Sequence, residues 1–74
     1  APAWRQKRAR MEIDSLMPAY ELRLTLLGRL RAARALSTDP AEQLRLERQI
    51  DDAERAAEAD TERLDRLHAE LGEA

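Results

Sequence analysis

The chain predicts an all-α fold, an antiparallel helical hairpin of coiled-coil character. Three observations carry this reading: one compact turn signal near the middle, an unbroken apolar heptad after it, and opposite charge balances on its two sides. The turn signal is Leu36-Ser37-Thr38-Asp39-Pro40-Ala41-Glu42. Asp39 is suited to accept from the free N–H groups that open a helix. Pro40 fits the first helical position, where no N–H is needed, and Glu42 sits where a capping box would place it. The first helix is therefore expected to end at Leu36, with a turn over 37–39 and a second helix from Pro40 to about Leu71.

In the second half, Leu46, Ile50, Ala53, Ala57, Asp60, Leu64, Leu67 and Leu71 alternate between steps of four and three residues, an apolar seam with one charged member. Gly72 follows, the residue type most often found just past a helix end. Asp60 has two readings, a polar device that sets register or oligomer state, or a partly exposed seam position.

The first half carries a wider stripe. Ile13, Met17, Tyr20, Leu24 and Leu27 form one 4-3-4-3 seam, while Leu16, Ala19, Leu22, Leu26, Leu30 and Ala33 cover the adjacent face. One partner helix cannot cover both. Pro18 interrupts the pattern, either because a helix starts near Ser15 or because a longer helix is kinked there. The longer, kinked helix is favoured, since it makes two arms of nearly equal length, each about 50 Å at 1.5 Å per residue. In a tight hairpin, facing residues have numbers summing to about 76. That register puts Ile13 near Leu64, Tyr20 near Ala57, Leu30 near Leu46 and Trp4 near Gly72, and it puts Asp60 opposite Leu16, where a charge requires an arginine or water. Gly28, Ala32 and Ala35 form a small-residue strip where another helix could approach closely.

At 74 residues the chain is one small domain, of a size at which a single core is marginal without help. It starts at Ala1 with no initiator methionine, which suggests an excised domain, or tag-derived or flexible residues over 1–10. There is no cysteine, so disulfides, thiolate metal sites and cysteine nucleophiles are excluded together. No apolar run is long enough for a membrane span or a secretory signal, and a cytoplasmic location is expected. Residues 1–36 carry eight basic groups against three acids, and residues 37–74 carry five against twelve. Folded back on each other, the halves attract.

Nothing in the residues encodes a reaction, and no catalytic residue, cofactor, metal or small-molecule substrate is expected. His68 is the single histidine and has no second nitrogen or sulfur ligand to complete a metal site. Neighbouring acids such as Asp51 and Asp52 point in different directions on a helix, which is wrong for paired acid and base chemistry. Gly28 and Gly72 are the only glycines, so there is no phosphate-binding loop.

The run Trp4-Arg5-Gln6-Lys7-Arg8-Ala9-Arg10 is basic beside an aromatic. Arg5, Lys7, Arg8 and Arg10 could grip nucleic-acid phosphates, the alternative function. The favoured reading is structural: Trp4 covers the open end of the hairpin and the cations face the acidic second helix.

The stretch Leu27-x-x-Leu30, then Ala35-Leu36-Ser37-Thr38-Asp39-Pro40-x-x-x-Leu44-x-Leu46-Glu47-x-Gln49-Ile50 and acid-rich heptads, resembles short helical-hairpin modules of bacterial multidomain signalling and conflict proteins. The resemblance covers roughly residues 24–70. It implies an adaptor role beside effector domains such as proteases and TIR domains, or beside signalling NTPases, and it transfers no binding residue. The expected function is a non-catalytic protein–protein interaction and oligomerisation module. Its partner is a second copy or a partner helix, held through Leu16, Leu22, Leu26 and Leu30 in a helical bundle.

Overall fold

A computed structural model describes residues 3–72. It contains two helices, α1 over Ala3–Leu36 and α2 over Pro40–Glu70, folded into a hairpin rod of 55 × 15 × 15 Å. α1 is continuous through Pro18, so no helix starts at Ser15. Residues 3–10 are part of it, and Ala9 is buried to 1% exposure.

The turn is built by side chains of its own residues. Asp39 is extended (φ −95°, ψ 118°) and its Oδ1 accepts from the Ala41 N–H at 3.1 Å, which satisfies one of the free donors at the α2 N-terminus. The capping box through Glu42 does not form. The Asp39 N–H donates instead to Ser37 Oγ at 3.4 Å, and Gln43, one residue later, sends its side-chain amide back to the Ser37 carbonyl at 2.6 Å. Gln43 is the better reach because its amide is a donor and the turn presents a free carbonyl, which a carboxylate cannot serve. Asp39→Ala is expected to cost about 0.5–2 kcal/mol and to fray the first turn of α2. Faster amide exchange at Ala41 with the core of α2 unchanged is the signature to look for. At the other end, Leu71 caps α2 and Gly72 turns the chain away at φ +76°, a conformation that a side chain would strain.

On α2 the seam is as the heptad predicts: Leu46, Ala53, Ala57, Leu64 and Leu67 are buried, with Ile50, Asp60 and Leu71 half-buried. On α1 the seam differs from the expected Met17–Leu24 line. The residues facing α2 are Ala9, Ile13, Leu16, Tyr20, Arg23, Leu27 and Leu30, again in alternating steps of four and three, and Leu24 is exposed. Met17 lies half-buried at the seam's edge. The physical reason is an ion pair. Asp60 stands in the α2 seam, and Arg23 donates from Nε to its Oδ2 at 2.7 Å, so the α1 seam turns to bring an arginine rather than Leu24 or Leu16 to that level.

At the open end of the hairpin Ala9, Ile13, Leu64 and Leu67 form a buried cluster, with Leu16, Met17, Tyr20 and Leu71 against it. Ile13 and Leu64 both belong to this cluster, where the expected register places them together. The attraction between halves is realised in three further pairs across the helices: Arg31 to Glu54 at 3.3 Å, Arg34 to Glu47, and Arg63 to Glu12 with the polarity reversed. All three are exposed, so each contributes about 0–1 kcal/mol.

Candidate protein-interaction surface

α1 is apolar on two sides. Of the seven large apolar side chains that stay exposed among the described residues, five lie on α1 outside its seam and on one side of it: Trp4, Met11, Leu22, Leu26 and Leu36. At about 100° per residue these five fall within about 80° of arc, roughly a third of a turn away from the residues that face α2. Leu22 is 71% exposed and Leu26 51%. Ser15, Pro18, Ala19 and Ala33 fill the same side with small, exposed residues, and Arg8 and Arg29 are the charges set into it. α2 has nothing comparable. Its only large exposed apolar residue is Leu44, beside Glu47, Arg48 and Asp51.

Sequence reasoning singled out Leu16, Leu22, Leu26 and Leu30, and the structure divides them. Leu16 and Leu30 turn toward α2 and are half-buried, Leu16 against the open-end core. Leu22 and Leu26 face solvent. Leu26 and Leu30 meet at a shallow groove along the hairpin with Ala53, Gln49 and Asp52 on its far wall and Arg23 at one end. Ala53 is small enough to leave that groove open, which is how a surface beside the seam becomes continuous with it. Trp4, Met11 and Leu36 belong to the same surface, where the sequence reading did not place them. Their signal was their spacing from Leu22, which returns to one helix face, but Arg8 and Arg29 interrupt the run.

Asp60 is held in place. Its side chain is 14% exposed and that of Arg23 is 37%. The pair occupies one level of both seams, midway along the rod, where a specificity device would sit. Gly28 is exposed, and a Cβ there would meet nothing within 4 Å, so its strip with Ala32 and Ala35 is not where α2 lies.

The basic residues near the N-terminus do not make one face. Arg5, Lys7, Arg8 and Arg10 are spread around the circumference of α1 by their spacing. The Arg5 guanidinium stands 5.7 Å from the centre of the Trp4 ring, and Arg8 approaches Glu12 at 3.9 Å. Trp4 stays exposed, on a recess shared with Arg5, Arg8, Glu12, Arg63 and Glu70, and so covers little of the open end. Glu12 and Glu70 line this recess beside the three arginines, and Arg8 and Arg63 are both engaged by Glu12, which does not favour an anion. Among the described residues no three His, Asp or Glu side chains gather at metal-binding distance, and no helix is long and apolar enough to cross a membrane.

Comparison with protein-family models, curated proteins and solved structures returns no match. The meaning of the surface therefore rests on its geometry.

Proposed function

We propose that this hairpin is a non-catalytic protein–protein interaction module that oligomerises through α1. The observation that carries the reading is the pair Leu22 and Leu26, exposed one helical turn apart at mid-rod, beside a groove that already contains Leu30 and Ala53. An apolar strip of this kind is favourable to cover by about 25 cal/mol per Å². Among the described residues no third helix covers it, and in this reading a second molecule does. An adaptor role in a bacterial signalling or defence protein is supported by the resemblance of residues 24–70 to such modules.

The test is solution mass. Sedimentation at high micromolar concentration is expected to show assembly beyond the monomer. Leu26→Glu is expected to weaken it by about tenfold or more, because a charge placed at a central apolar contact costs about 2 kcal/mol or more. Helicity by circular dichroism is expected to stay unchanged, since Leu26 does not belong to the buried core. A well-folded monomer at all concentrations would refute the reading.

A further inference from the structure

We infer that the occupant of the exposed α1 surface is a second copy of this chain, laid antiparallel along it about a two-fold axis near residue 20. The inference rests on the proposed function and deepens it by naming partner, surface and orientation. The surface runs the whole length of α1, from Trp4 to Leu36, about 48 Å at 1.5 Å per residue. At a helix separation of about 10 Å, two such strips bury on the order of 500 Å² per copy, close to the total of about 1,000 Å² at which specific interfaces begin. Covering only the Leu22–Leu26 patch would fall far short of that. A mate must therefore be a long helix with an apolar strip of matching length, and α1 itself is such a helix.

Orientation follows from what each residue meets. In the antiparallel arrangement Trp4 faces Leu36 of the second copy, Arg8 faces Ala33, Met11 faces Arg29, Ser15 faces Leu26, and Pro18 faces Leu22. Inside the strip each bulky residue lies over a small one or over an arginine stem, and each arginine meets an uncharged residue. Arg29 also lands within a turn of Glu12 and Asp14 of the second copy. A parallel arrangement stacks Arg8 on Arg8 and Arg29 on Arg29, so like charges repel at both levels. Two basic helices can lie together because Arg23, Arg31 and Arg34 are already paired with Asp60, Glu54 and Glu47 of their own α2. The acidic α2 helices then form the outside of a four-helix assembly.

The chain has no cysteine, so single cysteines report proximity without background. Arg8→Cys and Ala33→Cys replace exposed residues that are not apolar anchors. In an equimolar mixture of the two chains, oxidation is expected to give mainly the mixed disulfide dimer, identified by mass, while each variant alone cross-links poorly. In the cysteine-free chain the single tryptophan, Trp4, is expected to shift to shorter emission wavelength as concentration rises, and Leu36→Asp should abolish that shift. Self-cross-linking of either variant as efficient as the mixture would overturn the antiparallel arrangement while leaving the interaction module standing. An assembly in which Trp4 emission is insensitive to concentration would do the same. A monomer throughout would overturn both.

Discussion

Leu67→Ala is expected to cost about 3–5 kcal/mol, the upper part of the range for removing a buried leucine, and to unfold the hairpin or leave it marginal at ambient temperature. Leu67 is 1% exposed and is the one large side chain fully enclosed among the described residues. Its neighbours decide the magnitude. It packs with Ala9, Ile13 and Leu64. Ala9 has no side chain to swing into a void, and Ile13 and Leu64 are held on rigid helices, so the cavity cannot collapse cheaply. The described residues have only a small core to draw on, and the cluster at the open end holds the α1 N-terminal arm against α2. Loss should therefore appear first as exchange and proteolysis in residues 3–17, well away from the turn. Urea unfolding of Leu67→Ala beside Leu44→Ala is the comparison that checks it. Leu44 is half-exposed and its truncation should stay within about 0.5 kcal/mol of the unaltered chain. If the two variants are equally mild, the open-end cluster is not the core of the fold. Because assembly through α1 would add stability by mass action, both should be compared at one concentration.

How much of this fold is legible in the sequence differs sharply between the helices. The turn and α2 can be read because each signal there is local: Asp39 and Pro40 stand beside the turn they make, and every seam residue of α2 except Asp60 is apolar. α1 offers two solutions, since apolar residues lie on two of its sides. Counting hydrophobic residues selects Met17 and Leu24 for the seam, whereas the observed seam passes through Arg23. The arginine is tolerated there because Asp60 faces it from 37 residues away in sequence, a fact no local pattern contains. The clue was Asp60 itself, because a lone acid in a seam demands a base in the facing one. The same ambiguity explains the division of the candidate surface. Leu16 and Leu30 sit at the boundary between the two apolar sides, and only the rotation set by Arg23 decides that they turn inward while Leu22 and Leu26 remain outside.

That ion pair carries the second large expected effect, one in which the single and double variants move in opposite directions. Asp60→Ala removes a charge-assisted hydrogen bond and leaves the Arg23 guanidinium at a seam position. A cost of about 1–3 kcal/mol is expected, kept moderate because Arg23 is exposed enough to turn partly into water. Replacing both residues, Arg23→Leu with Asp60→Leu, removes the desolvation of two charges and fills the seam between Ala57 and Leu64. The double variant should be more stable than the unaltered hairpin by about 1–4 kcal/mol, as buried ion pairs replaced by packed apolar residues commonly are. The gain has a predictable consequence. Ala53 and Ala57 bury little and fit many facing residues, so they specify register weakly, and the Arg23–Asp60 pair is a seam contact that a slipped helix could not reproduce. The more stable double variant is therefore expected to show a broader distribution of masses in sedimentation than the unaltered chain. If Asp60→Ala melted higher than the unaltered protein, the pair would be a burden on the fold. If the double variant kept one sharp species, register would be set by Leu46, Leu64 and Leu67 alone.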